Sequence, residues 1–467
     1  MIERPLPFIK NYLARINEEL QRVHPECTLT STQELWLGFC LSAILITNSI
    51  CWKRFERASL GAFKDSALSW MFHFSKIGFM TLFEISIEQI LRNYGITEGV
   101  ICIDDVDRAR SKSTKRIHRV HKFKDKLTGG YCAGQSLVFL FLVTPVASFP
   151  IGFEFYAPDP RWKAWEQEEE RLKKAKVPKK QRPVKPERDP EFPSKMELSL
   201  QLTRKFKQRF PELSIKAVLA DGLYGHAEFI EGIQAIYPRV QVITKMKTTQ
   251  LVRFRGKDIS VSEYFRFHAP VSMNVSVRGG EEVEIFVSSA RLYVPSQGQK
   301  RFVIAVRYPD EKQCRYLLAS DLSWRTLDIV QAYFFRWLIE VFFEDWKGYE
   351  GWGKLTKHPD QEGSWKTVIL SLMLDHSLLF HQHQKARLEN KLPALSVGSL
   401  SQRIQAEALV QFVEDLTQEG LTEQKLKTLK ENIEKVIPLN PSKKHMAARI
   451  FPKMDPPPSL KRYRKAA

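Results

Sequence analysis

Residues 333–347 read Y-F-F-R-W-L-I-E-V-F-F-E-D-W-K, and the rest of the chain is best read outward from them. Phe334, Phe335, Leu338, Ile339, Val341, Phe342 and Trp346 need a core on more than one side. A helix is expected here, with Ser323 as its N-cap and Asp328 in its early turns, where negative charge is favourable. Gly348, Gly351 and Gly353 are expected to stop it. At about 100° per residue, Tyr333, Arg336, Glu340 and Lys347 fall within roughly a 60° arc. An ordinary i,i+4 pair accounts for Arg336 and Glu340. It does not account for so narrow a polar stripe on an otherwise apolar helix, which is costly unless something uses it.

The chain has 467 residues, enough for two or three domains. Lys and Arg outnumber Asp and Glu by 72 to 53, a net charge of +19. That excess suits a polyanion, with nucleic acid ahead of a membrane surface. Cys27, Cys40, Cys51, Cys102, Cys132 and Cys314 form no C-x-x-C pair, and no histidine cluster has zinc spacing. Scattered cysteines fit a reducing, cytoplasmic setting. Leu35 to Trp52 is uncharged. It opens from a capping box, Ser31 with Glu34, and reads as a buried helix rather than a membrane span. The charged, amphipathic N-terminus does not read as a secretory signal.

Residues 1–95 read as all-helical, with helices near 6–23, 31–52, 66–80 and 84–94. The mixture of Trp52, Lys53, Arg54, Phe55, Arg57, Phe63 and Lys64 suits either a DNA-binding surface or simply a helical domain with a solvated basic face. From Gly99 the texture changes. Val100 to Ile103 is a short apolar strand that runs into Asp104, Asp105 and Asp107. A cationic run follows, including Arg108, Arg110, Lys112, Lys115, Arg116, Arg119, Lys122, Lys124 and Lys126. Such cations suit phosphates held beside carboxylates, or else a solvated hairpin loop. Strands are expected at 134–143 and 148–155. Pro158 to Pro193 opens with an acidic-basic run, Glu166 to Lys176, that could form a short helix, and continues as a Lys/Arg/Pro stretch expected to be exposed or mobile, either an insertion loop that touches DNA or a plain linker. Ser194 with Glu197 caps a helix to about Phe210. A strand at 215–220 meets Asp221-Gly222, followed by a helix near 225–235 and a strand at 239–244. The 119 residues between Asp221 and Glu340 are strand-rich, with a Gly279-Gly280 turn. Helices resume at 364–390, 400–418 and 422–436, and a basic, proline-containing tail closes the chain at 440–467.

The spacing Tyr333-x2-Arg336-x3-Glu340-x6-Lys347 resembles the signature of DDE-superfamily transposases of bacterial insertion sequences, the cut-and-paste group that forms DNA hairpins. The carboxylates in chain order, a β-rich interval before the last, and the strand ends bearing Asp104 or Asp105 and Asp221 extend the resemblance across about 99–350. The resemblance implies an α/β, ribonuclease-H-like catalytic core over 96–245 and 323–360. A β-rich insertion would occupy 246–322, with a helical DNA-end-binding domain at 1–95 and a helical region at 361–467.

It further implies two Mg²⁺ ions (Mn²⁺ substituting) held by Asp104, Asp221 and Glu340, since magnesium prefers hard oxygen ligands. Tyr333, Arg336 and Lys347 would grip phosphates, with Arg108, Arg110, Lys115, Arg116 and Arg119 as further DNA contacts. An aromatic on the insertion would hold a flipped base, where Arg315 and Tyr316 are the nearest positions. Partners would be double-stranded DNA, at transposon ends and target, and a second copy in a homodimer, with no membrane. Asp104 and Asp105 point to opposite faces of one strand, so only one can join the other two carboxylates. Asp104 directly follows the apolar run and is preferred. Asp105 would instead place the polar Asp107 where the family carries a hydroxyl. Two other readings remain: a catalytically inactive, transposase-derived DNA-binding protein, and a nuclease that only hydrolyses.

Overall fold

A computed structural model of the chain describes residues 2, 4–110, 114–124, 129–276, 282–354, 358–418, 420 and 422–436. It resolves into two compact units, Met1–Glu419 and Gly420–Ala467. The divisions expected near 95, 245, 322 and 360 all fall inside the first. Within the second, the described element is one helix, Glu423–Val436. The Gly279-Gly280 turn, Lys112, Lys126 and the tail at 440–467 lie outside the described residues.

The first unit is mixed α/β. Five helices open it: α1 (Pro7–Val23), α2 (Ser31–Thr47), α3 (Trp52–Ala58), α4 (Asp65–Phe74) and α5 (Phe79–Asn93). The uncharged stretch forms α2, buried on all sides from Trp36 to Leu45. No helix among the described residues is long and apolar enough to cross a membrane. The cap of α2 is Thr30 with Gln33, one residue earlier than Ser31 with Glu34. Asn48 ends it in the left-handed region (φ 44°), which splits the helix expected over 31–52. Trp52 and Phe55, read as part of a DNA-facing surface, are buried, and Lys53 pairs with Glu56 and Asp65.

Twelve strands follow in one sheet: β1 (Glu98–Ala109), β2 (His121–Lys124), β3 (Tyr131–Val143), β4 (Ser148–Tyr156), β5 (Ser214–Ala220), β6 (Gln241–Met246), β7 (Leu251–Phe254), β8 (Lys257–Ser260), β9 (Val271–Ser276), β10 (Glu282–Val294), β11 (Gln299–Arg307) and β12 (Arg315–Ala319). Their order is β2-β3-β1-β5-β6-β12-β11-β10-β7-β8, with β4 on β3 and β9 on β10. The β-rich interval is thus continuous with the core, because β12 pairs antiparallel with β6. β1 runs well past the expected end at Ile103. β3 keeps pairing with it from Asp104 to Ala109, whereas β5 pairs only as far as Ile103.

Between strands lie α6 (Pro160–Lys174), α7 (Lys195–Arg209), α8 (Ala227–Ile236) and α9 (Val261–Arg266). The Ser194–Glu197 capping box on α7 forms as expected. Residues 158–193 are folded rather than mobile: α6 is followed by a proline-punctuated return that hydrogen-bonds to it. The last helices of the unit are α10 (Thr326–Phe334), α11 (Trp337–Tyr349), α12 (Gln361–Leu378), α13 (Gln382–Glu389) and α14 (Val397–Gln418).

A buried polar chain ties the helices to the sheet. Tyr12 on α1 meets Ser86 on α5 at 2.6 Å, and Ser86 meets His376 Nδ1 on α12 at 2.6 Å. His376 Nε2 reaches the Pro150 carbonyl on β4 at 2.8 Å. Burial pulls His376 down to about 4, so it stays neutral at physiological pH. The N-terminal helices are therefore built into the body of the unit.

Candidate active site

The expected single helix over 323–347 is broken. α10 ends at Phe334, a tight turn at Phe335-Arg336 follows, and α11 begins at Trp337. The Arg336 amide donates to the Tyr333 carbonyl at 3.1 Å, an i→i−3 bond that winds tighter than an α-helix. The cap is also displaced: Arg325 holds the N-cap position of α10, while Ser323 donates to Asp321. Two sequence features hid the break. The apolar run is unbroken across it, and no Gly or Pro marks it. It is held from the sheet, where the Cys102 thiol points at the Phe335 carbonyl at 3.7 Å.

α11 packs on β3 through aromatic rings. Phe139 of β3 lies 5.8, 5.4 and 5.1 Å from Phe342, Phe343 and Trp346. Phe139 is also the cross-strand partner of Asp104, so this packing brings α11 over the acidic part of β1. Trp346 and Trp352 stack at 4.3 Å with 8° between planes, and the Trp346 indole donates to Ser371 on α12 at 2.7 Å. Beyond α11, Gly351 adopts φ 83°, and its amide donates to Asn48 at 3.1 Å.

Asp104 and Asp221 are brought side by side by the strand register, and Arg336 links Asp104 to Glu340. β1 and β5 are parallel with Ile103 beside Ala220. Asp221 keeps an extended backbone (φ −78°, ψ −175°), so Asp104 and Asp221 are the next neighbours along that register. Asp221 accepts the Leu223 amide at 2.8 Å and so opens the turn at Gly222–Tyr224. Arg336 donates to Asp104 Oδ2 at 2.8 Å and also to Glu340. One guanidinium thus bridges the first and third carboxylates. Burial pushes the Asp104 carboxyl up to about 6; Arg336 opposes this, and Asp105 and Asp221 add to it. Tyr333 is buried with the Arg336 guanidinium 5.8 Å from its ring centre.

Asp105 faces the other way. Its Oδ2 takes a 2.5 Å ion pair from Lys195 on the first turn of α7. Asp107 accepts from Ser136 on that same opposite face. Arg108 donates to the Gly353 carbonyl and lies 5.9 Å from the Trp352 ring, fastening the segment after α11 to β1. Burial pulls Arg108 and Arg110 down to about 10. Lys115 and Arg116 are exposed, while Arg119 packs on Phe192 at 4.7 Å and donates to the Glu191 carbonyl at 2.9 Å. Lys347 is exposed near the end of α11.

Tyr316 does not reach the surface: it is buried, 6.0 Å from Phe265. Arg315 and Tyr308 instead line a cleft of about 490 Å³ with Lys245, Tyr333, Phe334 and Trp337. Tyr308 sits 6.2 Å from Phe334, with the Arg315 guanidinium 5.0 Å from its ring. Sequence reasoning missed Tyr308, Lys195 and the buried Tyr224, whose hydroxyl is pushed up by burial and by Asp105, Asp104 and Asp221. Tyr224, two residues beyond Asp221-Gly222, had a positional signal; Lys195, 90 residues from its partner, had none.

Among the described residues no three His, Cys, Asp or Glu side chains are grouped closely enough to hold a metal ion. The donor chemistry nevertheless fits a divalent cation. Asp104, Asp221 and Glu340 are all hard oxygen donors, Asp104 is well buried, and the Arg336 guanidinium already supplies positive charge between Asp104 and Glu340.

Residues 84–264 match the model of a family described as a DDE superfamily endonuclease. The matched stretch is less than half of the chain; it contains Asp104, Asp105 and Asp221 and stops short of Tyr333–Lys347. It supports nuclease- or transposase-type activity in general. The chain matches no curated protein. Among solved structures it is similar to the NurA nuclease from Sulfolobus solfataricus, at 8% identity and a TM-score of 0.23 over 51% of this chain and 72% of that one. A TM-score that low carries neither fold nor function across.

A second acidic group lies at the far end of α11. Glu350 is fully buried, and burial, Asp375 and Asp345 hold its carboxyl well above the usual range. Burial and Asp345 push Asp375 up to about 7. A raised carboxyl binds protons in the folded state that the unfolded chain has released, so stability falls as pH climbs from about 4 through 7. Asp375→Asn keeps the neutral form at every pH. We expect it to leave the melting temperature nearly unchanged at pH 4 and to raise it by several degrees at pH 8. Parallel pH–melting curves for variant and wild type would count against this.

Proposed function

We propose that the protein is a DNA transposase with a ribonuclease-H-like core, which cuts at transposon ends, forms a hairpin and joins the freed end to target DNA. The observation that carries the reading is that Asp104 lies beside Asp221 in the register of two adjacent parallel strands and shares Arg336 with Glu340 on α11. Asp104, Asp221 and Glu340 would hold Mg²⁺, with Mn²⁺ as a substitute. When bound, the metal supplies the charge that makes a water nucleophilic and stabilises the leaving 3′ oxygen.

The chain's own residues do the rest. Asp104 and Asp221, fixed on a rigid sheet, set where the scissile phosphate must lie. Arg336 presents a planar fork that suits carboxylates, as here, or two phosphate oxygens. Lys347, one face along α11, adds a point charge for the flanking phosphate. The cleft lined by Tyr308, Phe334 and Trp337 beside Arg336 fits an extruded base, with Tyr308 in the stacking role. A homodimer on paired ends, each subunit cutting the end its partner binds, completes the reading.

The test is incubation of purified protein with duplex carrying the flanks of its own gene, with Mg²⁺ or with chelator, followed by a denaturing gel. Metal-dependent nicks and slow-migrating hairpin products are expected. An absence of metal-dependent cleavage on every flank tried would leave a DNA-binding protein at most.

A further inference from the structure

The arm at residues 159–193 is a folded strut with its charge concentrated at one end. Its stem is α6, whose 15 residues span about 22 Å. The return strand is locked to it by aromatic and polar contacts. Trp162 donates to the Pro186 carbonyl at 2.8 Å and Trp165 to the Pro183 carbonyl at 2.9 Å. Lys185 and Arg188 each lie 3.8 Å from the Trp162 ring. At the base, Asp159 accepts the Asp189 amide at 2.8 Å, and Lys195 just beyond fastens to Asp105, the neighbour of Asp104. The arm is therefore anchored on the face of β1 opposite Asp104, where Lys195 holds Asp105.

Cations along the stem are largely neutralised: Arg171 by Glu168, Lys173 and Arg182 by Glu169, and Lys174 by Glu170. The far end is not. Leu172 to Lys185 carries seven cations and no acid, and only Lys173, Lys174 and Arg182 among them pair with the stem's glutamates. Lys176, Lys179 and Lys180 are exposed, and their ammonium groups make no hydrogen bond or ion pair among the described residues. Lys176 holds φ 56° and the return begins at Pro178, so this lysine turn has a defined shape. Such a turn costs self-repulsion with no internal return.

We propose that the tip of this arm grips the phosphate backbone of duplex DNA away from the scissile phosphate, without reading sequence. Lysine ammoniums are point charges that contact phosphates and carry no base code. Ordering by the tryptophan locks in advance removes the entropy that a loose loop would lose on binding. This rests on the DNA reading above and is tested apart from it.

The experiment uses the full chain and a labelled duplex of arbitrary sequence without metal, with binding followed by fluorescence anisotropy across a salt series. Lys176→Ala/Lys179→Ala/Lys180→Ala is expected to melt as the wild type does and to bind at least tenfold more weakly at low salt. The slope of log affinity against log salt should fall by about 2 to 3, at roughly 0.9 per lost phosphate contact. The matching triple lysine-to-arginine variant should keep the wild-type slope. An unchanged slope in the alanine variant overturns the proposal, as does loss of self-association with DNA binding intact. A lowered slope in a protein that never cleaves supports the arm and removes only the transposase reading. Wild type that binds no duplex removes both.

Discussion

Asp104→Asn is expected to lower metal-dependent strand cleavage about a thousandfold, equivalent to roughly 4 kcal/mol of barrier, while duplex affinity is expected to stay near that of the wild type. The expectation rests on position. Asp104 is the residue on β1 that faces α11, lies beside Asp221 in the parallel register, and shares Arg336 with Glu340. Asparagine keeps the shape but removes the charge on which a divalent cation depends. Asp105→Asn is the control. Asp105 faces α7 and pairs with Lys195, so its loss disturbs the anchorage of α7 and leaves cleavage within about tenfold. Cleavage rates of the two variants on one nicking substrate decide between them. Greater loss in Asp105→Asn would move the first ligand to the α7 face, and full activity in both would take β1 out of the active site.

The elements around the site were legible where one physical rule acted alone. Ser194 with Glu197 announced α7 because the reciprocal capping bonds are local. Asp221-Gly222 announced the end of β5, since Asp221 does accept the amide two residues on. Where tertiary contacts competed, the sequence misled. The apolar run Val100–Ile103 suggested a strand stopping at the first acid, but β3 supplies partners as far as Ala109. An even 100° step carried Tyr333 onto the same stripe as Glu340, yet the turn at Phe335-Arg336 interrupts the helix between them.

Composition misled in a different way at 159–193. Proline and charge were read as mobility, and nothing local showed that Trp162 and Trp165 would catch the returning chain at Pro186 and Pro183. The candidate aromatic was misplaced for a related reason. Tyr316 and Tyr308 both sit in the strand-rich interval, Tyr316 within β12 and Tyr308 just past the end of β11. One packs on Phe265, and the other opens on the cleft beside Arg336.

The second large effect is structural and lies nearly two helix turns beyond Glu340. Trp346→Ala is expected to cost about 3–5 kcal/mol, the range for deleting a large buried ring. Trp346 is wholly buried, stacks on Trp352 and Phe342, meets Phe139 edge-on, and donates to Ser371. Phe139 lies across from Asp104, so these contacts set the height of α11 above β1 as well as its stability. Alanine also leaves Ser371, which donates to the Glu350 carbonyl at 2.5 Å, without the indole donor. Trp346→Phe keeps an aromatic face and loses that donor, so it should recover more than half of the deficit in denaturant-unfolding free energy. At a temperature where both variants are folded, the alanine variant should still cleave more slowly, because Glu340 is no longer held over Asp104. Equal stabilities for the wild type and the alanine variant would show that the aromatic stack does not seat α11, and the argument that packing delivers Glu340 to the strand ends would fall with it.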